Sequence, residues 1–346
     1  MKFKAIVRQS SKALWLYSQI NNFLYRKCNE RETIGRECNS IFEVEKNSKS
    51  MRMSFFDIYP ENNLYGMSNT LLSYAQLPIK CLMSHVYIEH GLFFGDYVAR
   101  NSYGYKDVNR IVTFSEYRKE KLHQNRNIID RGLNIYKIGP YIHYAMPLLP
   151  LSFHQELKAH YGKVLLVFPS HSIPNESVTF DGQEFINKIL QIKNITKADT
   201  VIICLYWKDI DNKNLIKSYQ TYGFHLVTAG HKHDPNFLRR LRSIIDLSDF
   251  TMSNDVGTNL GYCIHLGKPH YVFSQAIGFK EGIEHVMQAE KQSSEIFDSA
   301  NKAKSIIANA FGDIRPDITP FQKELVDYYW GIKEIKTPEQ IRKIYQ

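Results

Sequence analysis

Four short segments combine residue types that can do chemistry. In YIEHGLFFGDYV (87–98), Glu89 and His90 adjoin, and Asp96 follows in the same loop. Histidine titrates near neutrality and a neighbouring carboxylate raises its basicity, so these three are candidate general bases. The plainer alternative is that His90 caps a helix and Glu89 makes a surface ion pair. In MSNDVGTNLGYCIHLGKPHYVF (252–273), Ser253 and Asn254 end a strand pattern, and Gly257 and Thr258 open a helical one. A helix start carries free backbone N–H groups and partial positive charge, which suits a phosphate. The alternative is a simple capped helix with Thr258 as N-cap.

In TAGHKHDPN (228–236), Gly230 ends a strand pattern and His231 and His233 follow. No partner with metal-ligand spacing accompanies them, so contact with a base, ribose or phosphate is the expected role rather than a metal. Asp234 is the expected N-cap of the next helix, with Pro235 in its first turn. In FPSHSIPNES (168–177), Ser170, His171 and Ser172 follow another strand pattern. No G-x-S-x-G elbow is present, which argues against hydrolase chemistry and leaves a nucleotide-contact role. Tyr206, near the end of TVIICLYW (200–207), joins that set. Asp209-Ile210-Asp211 matches a short acidic pattern that holds metal–diphosphates in some transferases, but such tripeptides arise by chance. Arg239, Arg240 and Arg242 read as a solvated helix face. The chain has no P-loop and no G-x-G-x-x-G.

The elements that must position these residues alternate. Strand patterns are expected at 55–60, 80–91, 110–115 and 134–142, and again at 163–172, 200–207, 224–230, 249–255 and 268–274. Helical patterns lie between them, which predicts βα units and parallel sheets. The proline-containing stretch at 145–163 suggests a boundary, with one domain over 1–148 and a second over 149–346 that includes C-terminal helices. In such sheets ligands bind beyond the carboxyl ends of the strands, where the four segments fall. Positions 10–27 read as a basic helix with Leu14, Tyr17, Ile20 and Leu24 near one face. It either packs on its own domain or lies on a membrane surface.

The bulk properties agree. The chain has 346 residues, 43% hydrophobic and 23% charged, with a formal net charge of +9. That is ordinary globular composition of two-domain length, and its charge favours an anionic partner. No run approaches a membrane span and the start lacks a secretory pattern. Five scattered cysteines (Cys28, Cys38, Cys81, Cys204, Cys263) show no disulfide or metal framework. A cytoplasmic location is the expectation. A nucleic-acid-binding protein is disfavoured because neither a helix-turn-helix nor an aromatic–basic sheet motif is legible.

The order of strand, EHG loop, RIVTFSEYRKEKL, IGPYI, linker and second alternating half resembles the GT-B glycosyltransferases, most of all those that build bacterial surface polysaccharides. The segment IIDLSDFTMSNDVGTNLGYCIHLGKPHYVF is similar to their donor-binding stretch. The resemblance spans roughly 50–275. It implies a GT-B-like α/β fold of two Rossmann-like βαβ domains facing across a cleft. It implies a nucleotide-sugar donor, UDP- or CMP-linked, in the second domain and a glycan or lipid-linked glycan acceptor in the first. His90 or Glu89 would be the base, with no metal required, and the inner face of the membrane is a place such an enzyme could work. The E-x7-E pattern of retaining members is not clear, nor is an Arg–Lys pair. Transfer from a CMP-linked acidic sugar or from CDP-glycerol, or nucleotide-sugar epimerisation, are the neighbouring activities.

Overall fold

The computed structural model describes residues 10–34, 41–78, 81–172, 177–280 and 294–346. The first nine residues and part of the loop after Ser172 lie outside these ranges, as do the Cys28 and Cys38 side chains. The chain enters through α1 (Ser11–Ile34) and α2 (Met67–Tyr74). Then β1 (Val86–Ile88), β2 (Arg110–Thr113), α3 (Glu116–His123) and β3 (Asn134–Lys137) build a parallel sheet in the order β1-β2-β3. Ser115 caps α3 by accepting from the Arg118 N–H, and Glu116 in the first turn suits the helix dipole.

α4 (Leu151–Tyr161) leads to the second unit. It runs β4 (Val164–Phe168), β5 (Ser177–Thr179), α5 (Gly182–Thr196), β6 (Thr200–Cys204), α6 (Lys213–Thr221) and β7 (His225–Val227). It continues with α7 (Phe237–Leu247), β8 (Phe250–Ser253), α8 (Thr258–His265), β9 (His270–Val272) and β10 (Gly278–Lys280). Five strands pair in parallel in the order β7-β6-β4-β8-β9, while β5 and β10 form a separate antiparallel pair. All of β4 is buried, which is why VLLVF shows no alternation: helices cover both faces. The protein is therefore an α/β molecule with two Rossmann-like parallel sheets.

The strand order of the larger sheet reverses around β4, whose neighbours are β6 and β8. This reversal opens a crevice between the loops after β4 and β8, the usual ligand position in open α/β sheets.

The chain closes with α9 (Ser294–Ala310), α10 (Pro320–Trp330) and α11 (Pro338–Tyr345). α10 and α11 each begin with a Thr–Gln capping box, at Thr319 and Thr337. α11 returns to the first unit: Arg342 donates to the Ala75 carbonyl at 2.9 Å, and Arg110 donates to the Ile344 carbonyl at 2.6 Å.

Trp330 of α10 is fully buried and donates through Nε1 to the Thr258 carbonyl at 3.0 Å. A Cβ on Gly261 would lie 2.3 Å from its indole. Gly261→Ala gains about 1 kcal/mol in helix propensity, but the buried indole has to move. Overpacking of this kind costs about 1–3 kcal/mol. The expected result is a lower Tm; an unchanged or raised Tm shows that α10 yields freely.

Three expectations change. Residues 55–60 do not form a strand beyond one parallel bridge, Asp57 with Leu82. A side-chain amide supplies bonds instead: Asn63 Oδ1 accepts from the Phe56 and Asp57 N–H groups, and Asn63 Nδ2 donates to the Asp57 and Tyr59 carbonyls. Asp234 is not the N-cap of α7, which is Asn236. Its carboxylate instead accepts from the Asn236 N–H and pairs with buried Arg240 at 2.8 Å. The N-cap of α8 is Gly257 rather than Thr258.

Candidate functional site

The loops after β4, β6 and β8 and two loops of the first unit form a closed ring of contacts. After β4, the Ser170 N–H donates to Asn254 Oδ1, after β8, at 2.6 Å. This bond spans the crevice where the strand order reverses. Next to it the His171 ring stacks on Tyr206, after β6, with centroids 4.3 Å apart. The Tyr206 hydroxyl lies 3.3 Å from the Tyr65 hydroxyl of the first unit. Tyr65 faces His90 nearly ring-parallel, with centroids 6.4 Å apart. Two residues beyond His90, the Leu92 N–H donates to Thr258 Oγ1 at 3.2 Å. Thr258 opens α8 just past Asn254, so the ring closes. The carboxyl ends of β1, β4, β6 and β8 thus meet at one place.

Tyr65 was not legible as a site residue. Its backbone sits at φ 55°, a left-handed conformation that is costly for a bulky residue, and Gly66 follows at φ 70°. A Cβ at Gly66 would lie 2.4 Å from the Pro235 carbonyl oxygen, so only glycine permits this approach of the two units. The Tyr65 N–H donates to the Lys232 carbonyl at 2.7 Å, and its ring packs on Phe237 at 4.9 Å. The Tyr-Gly pair ahead of a helical run was the available signal, as a turn. Burial holds the Tyr65 phenol well above its ordinary pKa, so it remains a proton donor.

The N-cap residue Gly257 has no side chain to cap α8, and no acidic residue lies in the helix's first turn. The start of the helix is therefore open to an anion. Three buried polar atoms around this ring have no hydrogen-bond partner among the described residues: His90 Nδ1, Ser170 Oγ and Asn259 Nδ2. Buried unpartnered groups cost about 1–3 kcal/mol each and are uncommon in native structures. A polar group entering this crevice would find three of them within it. His90 is partly exposed, and with Nδ1 shielded its accessible edge is the other side of the ring. Burial is the main influence on its pKa and lowers it, against the opposing fields of Glu89 and Glu61. The ring is accordingly a neutral base at pH 7.

Behind Tyr206 lies the β7 loop. His231 packs on Trp207 at 4.2 Å and is 4.8 Å from the His233 ring. The His233 backbone N–H donates to His231 Nδ1 at 3.1 Å, which assigns the His231 proton to Nε2. The His233 ring donates from Nδ1 to the Met51 carbonyl at 2.9 Å. Burial lowers its pKa. Gly230, at φ 101°, has an Arg240 nitrogen 2.6 Å from where its Cβ would lie, so glycine serves the turn here.

Four expected site residues are occupied elsewhere. Glu89 is fully buried, with Oε1 2.7 Å from Arg118 Nη2 and Oε2 accepting from Arg118 Nε at 2.9 Å and Thr113 at 2.7 Å. A carboxylate enclosed this way does not reach a substrate. Asp96 pairs with Lys121 at 2.6 Å, and its backbone N–H donates to Ser299, away from His90. Ser172 accepts from the Val178 N–H, while its own N–H donates to Asp209. Ser253 is buried and donates to the Asp255 carbonyl, with His270 Nε2 at 3.0 Å from the same oxygen. Strand ends that face the core use their hydroxyls inward, a distinction that linear spacing does not encode. Among the described residues, no three His, Cys, Asp or Glu side chains gather as a metal site.

The same buried histidines set an acid limit. Burial pushes His270 down to about 3 and His265 down to about 4, the latter helped by His143 and Arg242. The unfolded chain binds protons at these groups below about pH 6.5, while the folded chain does not. Their contribution therefore decreases as pH falls below that value. Asp57, raised to about 7 by burial, acts with the opposite sign, favouring the folded state more as pH falls from about 7 toward 4. With the histidine shifts dominating, Tm decreases from pH 7 to pH 5. His270→Asn flattens that slope; an unaltered slope removes His270 from the account.

No family model matches this chain, and no curated protein matches it. Among solved structures, the wall teichoic acid polymerase TagF aligns over 75% of this chain at 14% identity and a TM-score of 0.35. This chain spans 62% of that protein's length. A glycosyltransferase from Rickettsia africae ESF-5 aligns over 81% of this chain and 73% of its own, at 12% identity and a TM-score of 0.36. The UDP-GlcNAc 2-epimerase from Neisseria meningitidis, solved bound to UDP-GlcNAc, aligns over 80% and 70% respectively, at 12% identity and a TM-score of 0.35.

Proposed function

We propose that this protein is a glycosyltransferase that moves a sugar from a nucleotide-linked donor to an acceptor hydroxyl. The observation that carries the reading is the convergence of a neutral, partly buried histidine and an uncapped helix start on one crevice with unpartnered polar atoms. In this reading the unit over 149–346 holds the donor. Its phosphate lies at the start of α8, contacted by the N–H groups of that turn, Asn259 Nδ2 and Ser170 Oγ. The stacked His171–Tyr206 pair borders the base or ribose, and His231 or His233 supplies further donors. The unit over 1–148 holds the acceptor, a glycan or lipid-linked glycan.

His90 accepts the proton of the acceptor hydroxyl as that oxygen attacks the anomeric carbon. The bond to the donor phosphate breaks, and the electron pair leaves with the nucleotide. Fixed N–H dipoles at the helix start stabilise the charge that grows on the leaving phosphate. The role of base thus falls to His90, while Glu89 holds Arg118.

A thermal-shift screen against UDP, GDP, CMP, CDP and their sugars, with and without Mg²⁺, tests the site. A ligand that binds only the folded chain raises Tm by mass action, by about 2.7 kcal/mol of stability at a hundredfold excess over Kd. One nucleotide class is expected to raise Tm, with the shift reduced in Asn259→Leu and Ser170→Ala. No shift with any nucleotide sinks the reading.

A further inference from the structure

We infer that one face of α1 docks on an anionic lipid surface. α1 has two contrasting faces. One is spent on the protein itself: Leu14, Ser18 and Asn21 are buried, and Asn22 exchanges hydrogen bonds with the Phe55 backbone at 2.7 and 2.9 Å. Ser18 also contacts Cys81 at 3.0 Å, and the Ser11 N–H donates to Asp107 at 3.2 Å. These bonds fix the rotation of the helix about its axis.

Among the described residues the opposite face has no such partner. Leu16, Ile20 and Phe23 are 57%, 52% and 58% exposed, on a helix whose inner side is closed. Lys12, Leu16, Ile20, Phe23 and Lys27 lie within an arc of about 80° at the helical repeat, and Trp15, 42% exposed, stands at its edge. Lys27 leans over the Phe23 ring at 4.7 Å. An apolar stripe with a lysine at each end and an aromatic at its margin suits an interface, where the ammonium groups snorkel toward headgroups.

Charge complementarity selects the occupant. Residues 1–27 contain Lys2, Lys4, Arg8, Lys12, Arg26 and Lys27 and no Asp or Glu, and the end of α1 adds Glu30, Arg31 and Glu32. The exposed stripe therefore sits in a stretch of net positive charge, which a negatively charged bilayer attracts and a second copy of the same stretch repels. No helix among the described residues is long and apolar enough to cross a membrane, so the contact is one of lying on the surface. It is independent of the proposed activity: the nucleotide screen reads the crevice, and the following test reads only α1.

The full chain is floated with phosphatidylcholine vesicles with and without phosphatidylglycerol, at low and high salt. Flotation is expected with the anionic vesicles at low salt and is screened at high salt. Leu16→Ser/Ile20→Ser/Phe23→Ser removes the apolar stripe and is expected to weaken binding at least tenfold. Each of Lys12→Gln, Arg26→Gln and Lys27→Gln is expected to weaken it about fivefold. Phe321→Ser removes a phenylalanine that is 60% exposed on α10 and is expected to bind as the native chain does. Failure to float with anionic vesicles at low salt overturns the inference, as does undiminished flotation of the triple variant. A dimer in light scattering that the triple variant abolishes, without flotation of the native chain, overturns it in favour of a second copy.

Discussion

His90→Asn is expected to lower the turnover of glycosyl transfer by about 10²–10⁴-fold, the usual contribution of a positioned base. The donor-induced rise in Tm should persist, because the residues assigned to the donor belong to the other unit. The pH profile provides a second reading. In the proposed reaction His90 acts as the neutral ring, and burial sets its pKa below the ordinary histidine value. Activity of the native chain is therefore level at neutral pH and falls only as acid protonates the ring, below about pH 6.5. A variant with native turnover, or a native profile with its acid limb well above that value, places the base elsewhere. Loss of the donor shift together with activity would assign His90 to binding.

The second large effect concerns stability. Arg118 and Glu89 are both fully buried and pair through two hydrogen bonds, and Arg118 also donates to the Tyr97 carbonyl at 2.7 Å. Arg118→Met leaves the Glu89 carboxyl enclosed without its cation, with only Thr113 still donating to it. Removing one partner of a buried pair costs about 3–5 kcal/mol. For a unit of this size that is a fall in Tm of about 10 °C. Arg118→Met/Glu89→Leu removes both charges and is expected to recover much of the loss, because an apolar replacement of a buried pair is often near neutral. A single variant that melts like the native chain shows that water reaches the carboxylate. Transfer should fall with stability in Arg118→Met, since the pair anchors the loop that presents His90.

The alternation of strands and helices was legible in the sequence because each carries its own period. VLLVF, TVIIC and HLV read as strands with no knowledge of their neighbours, and all three are strands. The segment 55–60 looked the same, but four of its backbone bonds go to the side-chain amide of Asn63, whose reach across a turn no periodicity expresses. In the same way, EHG was visible as a strand end beside a glycine, but the division of labour within it was not. Glu89 finds Arg118 from α3, and His90 remains to face the other unit.

What the sequence determined by itself was local: the element types, a helix start near Gly257–Thr258 and the single-sign charge of residues 1–27. These depend on residues close together in the chain. The tertiary structure decided which hydroxyls and carboxylates turn inward, that Tyr65 and Tyr206 meet between the units, and which face of α1 the described residues leave uncovered. Each of these depends on pairs brought together from far apart in the chain, where burial and mutual hydrogen bonding, rather than residue type, determine what a side chain can do.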